Sequence, residues 1–204
     1  SIKKVLEELK KNKNIHLQIL TGGSANIEKY GLTSKIIKKD NFKIDEEIYF
    51  FVDGDKPVTM VKTTALGMIE TSTALQRLKP DIVLTIGDRY ETMATVISAS
   101  YMNIPIAHTM GGEISGTIDE SIRHAITKFS HIHFPATIKS KKNIVNMGED
   151  KKNIFHVGCP RIDLVKECLK KKIKNFNSAV FKNGVGEKFD LDKKFITVMQ
   201  YPVT

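Results

Sequence analysis

Tryptophan is absent from this chain, cysteine occurs twice, and only four of the 32 basic residues in 204 positions are arginine. Two cysteines, Cys159 and Cys168, cannot build a disulfide framework, and without companion ligands at zinc spacing they are a poor metal signal. A reducing, cytoplasmic setting is therefore expected. No apolar run approaches the roughly 20 residues that a membrane-spanning helix needs. The longest, such as Ile82-Val83-Leu84-Thr85-Ile86, are strand-length. The first ten residues alternate lysines with apolar residues and are not followed by the apolar core and cleavage site of a secretory leader, so no membrane partner is expected. HExxH, GxGxxG, Walker and nucleophile-elbow patterns are missing as well, which removes support from metal, classical dinucleotide and serine-hydrolase chemistry. No metal and no cofactor are expected. The net charge of +9 comes from scattered lysines with no aromatic-interleaved basic stripe, and so argues for a lysine-rich surface and against a nucleic-acid partner.

In a chain that uses lysine almost everywhere, an arginine is expected where a planar, two-pronged donor is required. The four are Arg77, Arg89, Arg123 and Arg161, and both Arg89 and Arg123 fall beside carboxylates.

The apolar periodicity alternates between period 2 and period 3.6. Strands are expected over Ile15 to Leu20, Ile82 to Ile86, Ile104 to His108, Ile132 to Phe134 and Ile154 to Val157. Helices are expected over Ile2 to Leu9, Val58 to Leu78, Tyr90 to Met102, Asp119 to Phe129, Ile138 to Met147 and Ile162 to Ile173. Alternation of this kind implies a doubly wound parallel α/β sheet of Rossmann-like type. Residues 1–175 read as one domain, 176–190 as a linker, and 191–204, with a buried strand over Phe195 to Gln200, as the opening of a second Rossmann-like domain. The chain starts at Ser1 without Met, and its opening helix would normally follow a strand, so a first strand is expected to be missing. No internal repeat or low-complexity segment occurs.

In open parallel sheets, ligands lie at the carboxyl ends of the strands. Two polar clusters occupy that position. In Gly87-Asp88-Arg89-Tyr90-Glu91, Asp88 reads either as a helix cap favoured by the positive end of the helix dipole or as a base fixed by Arg89, which could also clamp a phosphate. The second cluster runs from His108 to His124. Gly111 and Gly112 permit close approach of a ligand to the main chain. Asp119 and Glu120 open a helix, and Asp119 shares a face with Arg123 at the i, i+4 spacing. This cluster reads as a solvated helix start with one salt bridge or as an acid/base constellation. His16, His131, His133 and His156, beside apolar strands, are expected to be packed or surface residues, and Met60, Met68 and Met93 to be core.

Four blocks together carry a family signature: KPDIVLTIGDRYE (79–91), NIPIAHTMGGEISGTIDESIRHAITKFSHIHF (103–134), NMGED (146–150) and VGCPRID (157–163). They resemble the hydrolysing UDP-N-acetylglucosamine 2-epimerases of sialic and legionaminic acid biosynthesis, from about Leu17 to the end of the chain. The resemblance implies the N-terminal half of a GT-B-like two-domain fold with a nucleotide sugar in the cleft. The implied reaction removes the C2 proton, expels UDP by anti elimination and adds water with inversion at C2, giving N-acetylmannosamine and UDP.

Carried over by the same resemblance, Asp88, His108, Glu113, Asp119 and Arg123 are the catalytic candidates. Arg89, Gly111, Gly112, Glu120, His124 and Tyr201 are the substrate-binding ones. Two positions depart from the pattern. Met110 stands where many members carry a carboxylate, so either Glu113 covers part of that role or the substrate is a modified sugar such as a 2,4-diacetamido-6-deoxy nucleotide sugar. Tyr201 stands where the family has a histidine and will not titrate near neutrality. A homo-oligomer is expected. The competing readings are a non-hydrolysing 2-epimerase, a GT-B glycosyltransferase and a non-catalytic nucleotide-sugar-binding domain.

Overall fold

The computed structural model describes residues 2–170, 181–182, 184–187, 189–190 and 193–198. Its elements run α1 (Lys3–Lys11), β1 (Leu20–Thr21), α2 (Thr33–Lys39), β2 (Glu46–Glu47), α3 (Pro57–Leu78), β3 (Val83–Ile86), α4 (Tyr90–Tyr101), β4 (Ile106–Thr109), α5 (Ile118–Phe129), β5 (Ile132–Phe134), α6 (Ile138–Asn146) and α7 (Pro160–Lys170). β3, β4 and β5 form a three-stranded parallel sheet with β4 in the centre, and β1 pairs with β2 in a second parallel sheet. Neighbouring parallel strands cannot be joined by a hairpin, and α4 and α5 supply the two crossovers.

Local chemistry explains the longest helix. Pro57 opens α3 at its first turn, where a missing N–H costs nothing, and Lys79 ends it in the left-handed region at φ 46° with its N–H bonded to the Leu75 carbonyl. The inner face carries the small residues Thr63, Gly67, Thr71 and Ala74. A Cβ on Gly67 would lie 3.0 Å from that of Ala94, so this face lets α3 and α4 approach closely. Beneath them Leu75, Val96, Ala99, Ile106 and Ile126 form the main core, each large aliphatic side chain contributing about 1.5–3 kcal/mol on burial.

The five expected helices from Ile2 to Met147 are present within about two residues, and the sixth, α7, is described as far as Lys170. Strands fared less evenly. Of Ile15 to Leu20 only Leu20 belongs to β1, which pairs with two residues of β2. Of Ile154 to Val157 only Ile154 pairs, through an isolated bridge to His133. A strand exists only where a neighbour accepts its ladder, and apolar alternation does not reveal that neighbour. Residues 195–198 form no strand, and Ile196 and Val198 are exposed, since no described strand lies beside them. The rest of the expected second-domain start, including Tyr201, and part of the expected linker lie outside the described residues. α2 and β2 answer to no sequence expectation. α2 is short and lysine-rich, while β2 consists of two glutamates held by Lys38 and Arg77.

Candidate active site

The site lies where β3 and β4 end. Gly87, at φ 77°, turns the chain out of β3 toward Asp88 and Arg89, which lead into α4. Met110, at φ 64°, turns it out of β4, and its N–H bonds the Phe134 carbonyl at the end of β5. An L-residue in the left-handed region is uncommon, and here it is held by strand pairing on both sides. Gly87 N–H donates to the Thr109 carbonyl, and the Thr109 hydroxyl to that of Thr85, so the two turns are fixed to each other.

Into this frame α5 sends Arg123, 5% exposed. One guanidinium nitrogen pairs with the Asp88 carboxylate, while Nη1 donates to the Glu113 carbonyl at 2.6 Å and to Ser115 Oγ at 3.5 Å. Asp88 keeps 28% of its side chain exposed and thus combines a fixed orientation with access to solvent. This corrects two expectations. Asp88 caps no helix, because the N-cap of α4 is Arg89 and no side chain caps it. Nor does Arg89 hold Asp88: its Nε and Nη2 grip both oxygens of Glu91, at 3.0 and 3.1 Å. Arg77 likewise makes a two-pronged contact with Glu46, as the scarcity of arginine suggested.

His108, expected among the catalytic groups, is 0% exposed and lies beneath the site. Its Nε2 is 2.9 Å from the Gly87 carbonyl, a contact that requires a proton on Nε2, and its Nδ1 is 3.4 Å from Thr127 Oγ1. It thus steadies the peptide that carries Asp88. Burial pushes its pKa down to about 4, against the opposing hydrogen bond to Gly87. The unfolded chain then takes up a proton that the folded one refuses between about pH 6.5 and 4. Stability is full above that window and falls as pH drops through it, by about 3 kcal/mol for this residue. Urea denaturation of wild type and His108→Gln across pH 7 to 4.5 should show a shallower acid loss in the variant; parallel curves would assign the loss to other groups.

On the side where a side chain would project, the chain's own atoms already stand against both loop glycines. A Cβ on Gly111 would lie 2.9 Å from His108 Nδ1, and one on Gly112 would lie 2.4 Å from the Ser140 carbonyl of α6. The chain's own atoms fill the space, and Asn143 donates to the Gly112 carbonyl at 2.8 Å. Glu120 is similarly committed: one oxygen accepts both Ser115 N–H and Gly116 N–H at 2.6 Å, which lowers its pKa, while the other faces His124 Nε2 at 3.7 Å. Asp119 stands beside it in the first turn of α5, and Glu113 is the acid of the loop itself. Glu91 and Thr127 join the site without being among the residues expected there. Glu91 looks in the sequence like any acid in the first turn of a helix, whereas Thr127 is detectable as the residue one helical turn beyond Arg123.

The NMGED block has a structural part to play. Glu149 receives Lys128 from α5 at 2.5 Å and lies 3.4 Å from His133 of β5, and Asp150 caps the turn that follows. Both cysteines are free. Among the described residues no helix is long and apolar enough to cross a membrane, and no group of three or more His, Cys, Asp or Glu side chains could hold a metal.

Parallel strands, helical crossovers and a polar cluster at the strand ends define a Rossmann-like α/β unit of GT-B-like type. Solved structures agree: the chain matches a putative UDP-N-acetylglucosamine 2-epimerase from Listeria monocytogenes with a TM-score of 0.76 at 19% identity, over 89% of this chain and 48% of that one. It matches the Neisseria meningitidis UDP-GlcNAc 2-epimerase bound to UDP-GlcNAc with a TM-score of 0.72 at 21% identity, over 83% and 46%.

The sequence pattern of the UDP-N-acetylglucosamine 2-epimerase family matches residues 7–204, and the chain belongs to that family. It is 37% identical, over 99% of its length and 52% of the relative's, to the hydrolysing UDP-N,N'-diacetylbacillosamine 2-epimerase of Legionella pneumophila. It is 32% identical, over 100% and 51%, to the hydrolysing GDP/UDP-N,N'-diacetylbacillosamine 2-epimerase of Campylobacter jejuni. The chain thus spans about half the length of these relatives.

Proposed function

We propose that the protein is a hydrolysing nucleotide-sugar 2-epimerase whose sugar is a 2,4-diacetamido-6-deoxy hexose of the diacetylbacillosamine type. The reaction rests on Asp88, a part-exposed carboxylate aimed by a buried arginine at the carboxyl end of the central strands. The choice of sugar is supported by the two whole-chain relatives, both named for it, and by Met110, an apolar side chain in a loop whose one acid is Glu113.

The C2 hydrogen of a 2-acetamido sugar is weakly acidic, so a base must be fixed close to it. In the proposed course a carboxylate takes the C2 proton as the C1–O bond to the nucleoside diphosphate breaks, which leaves a C1=C2 double bond. Water then adds its oxygen at C1, while a proton reaches C2 on the face opposite to the one from which the first proton left. Asp88 and Asp119 are assigned the acid and base roles, and Glu113 a share of them. Arg123 orients Asp88, and Arg89 faces the phosphates.

The test uses the full-length protein with UDP- and GDP-linked diacetylbacillosamine and with UDP-GlcNAc, in D2O. The expected products are a free 2-epimerised sugar carrying one deuterium at C2 and the released nucleoside diphosphate, formed fastest from a diacetamido substrate. Retention of the C2 hydrogen would sink the elimination. A product still linked to nucleotide would mark a non-hydrolysing epimerase, and release that depends on an added acceptor a glycosyltransferase. Binding without turnover would leave only a recognition domain.

A further inference from the structure

Glu91 sits in the first turn of α4, 9% exposed, and three contacts converge on it. Arg89 meets it edge to edge through Nε and Nη2. From 67 residues earlier, on the loop that leaves β1, the Ser24 hydroxyl donates to the same carboxylate at 3.2 Å. Gly23, next to it, has φ 59°, and a Cβ there would lie 2.9 Å from Glu91 Cγ. The loop after β1 is therefore moulded around this side chain, and one carboxylate ties together the turns at the carboxyl ends of β1 and β3.

The manner in which Glu91 grips Arg89 determines what the arginine can still do. A guanidinium bound along its Nε–Nη2 edge keeps further N–H donors on Nη1 and Nη2, and here the Tyr90 side chain, its ring centroid 5.7 Å from the guanidinium carbon, lies beside them. Arg89 is 56% exposed, and its plane is set by a fork-to-fork contact that a single hydrogen bond could not enforce. The carboxylate of Glu91 offsets the charge that Arg89 could offer an anion. Its presence favours geometry over raw charge as the purpose of the pair.

We propose that Glu91 is a positioning residue: it presents the remaining donors of Arg89 to a phosphoryl oxygen of the nucleotide, beside the turns after β1 and β3. This rests on the nucleotide-sugar reading above and adds the residue that sets how the phosphate is held. Two contributions separate cleanly. The Arg89 fork holds the diphosphate in substrate and in released nucleotide alike, so its loss weakens binding of both, while Asp88 is held independently by Arg123.

The experiment uses the full-length protein, with UDP as the binding probe in calorimetry and steady-state kinetics alongside. Wild type first establishes that UDP binds and that turnover occurs; failure there overturns the nucleotide-sugar reading itself. Given both, Glu91→Gln should weaken UDP binding and raise KM by about tenfold each, with kcat within about threefold. Arg89→Lys should do the same, and the double variant should be no worse than either single one, because the two side chains act as one unit. Unchanged UDP affinity in Glu91→Gln would reduce the residue to a structural tie and overturn the proposal, as would a fall in kcat at constant KM. Melting temperature is read in parallel. A variant that melts low but binds UDP as wild type counts against the proposal, and Arg89→Lys, which leaves Glu91 its contact with Ser24, supplies the reading if Glu91→Gln does not fold.

Discussion

Asp88→Asn in the full-length protein is expected to lower kcat by a factor of about 100 or more, the range that a positioned general base contributes. Asparagine is nearly isosteric and keeps an oxygen for the Arg123 guanidinium, so the side chain stays in place while the ability to take a proton is lost. The buried arginine loses its counter-charge, however, and this costs some stability. Removing one partner of a buried ion pair costs about 3–5 kcal/mol, and because asparagine keeps a hydrogen bond to the still-charged guanidinium and the site is part-exposed, the variant should lose less, about 1–3 kcal/mol. Chemical denaturation gives that number independently of turnover. A variant that loses this stability yet turns over normally would show that the Asp88–Arg123 pair only braces the fold, and the base would have to be sought at Asp119 or Glu113.

Gly112→Ala is expected to be the most destabilising single methyl in the loop, at about 2–5 kcal/mol in urea denaturation. Two costs add. A Cβ-bearing residue at φ 79° carries about 1–2 kcal/mol of left-handed strain. The new methyl would also lie 2.4 Å from the Ser140 carbonyl and 2.8 Å from Ile144 Cγ1, and backbone in α6 cannot yield as the tip of a flexible side chain can, so overpacking adds about 1–3 kcal/mol. Gly116 is the internal control. At φ 74° it has the same strain, but nothing lies within 4 Å of its missing Cβ, so Gly116→Ala should show only the first cost. Equal losses at the two positions would refute the packing argument. A stable Gly112→Ala with a raised KM would restore the view that a ligand passes over this glycine.

The contrast between those glycines bears on how far the sequence could be read. The loop from His108 to His124 was legible as a place where polar chemistry collects, because ionisable residues crowd it directly after a buried strand. Its inner arrangement was not. Spacing alone suggested that Arg123 serves Asp119, four positions earlier on the same helix, and that Arg89 serves its neighbour Asp88. Instead Arg123 crosses to Asp88, 35 positions away, and Arg89 turns to Glu91. These choices follow from the β3–β4 register, which sets Ile86 opposite Thr109, and from the packing of α5 on the sheet. Local periodicity contains neither. His108 shows the same division: its place at the end of β4 follows from apolar patterning, whereas its burial beneath Gly87 depends on α5 covering that face through Thr127.

By itself, then, the amino-acid sequence determined the parallel α/β alternation, the position of the helices and the two strand ends where polar residues gather. These follow from side-chain periodicity and turn chemistry within short windows. Only the tertiary structure decided which carboxylate each arginine holds, which histidine is shut away from solvent and which glycines are spaces already filled. Each of those depends on distances between elements far apart in the chain, and on the exclusion of water that begins when they pack.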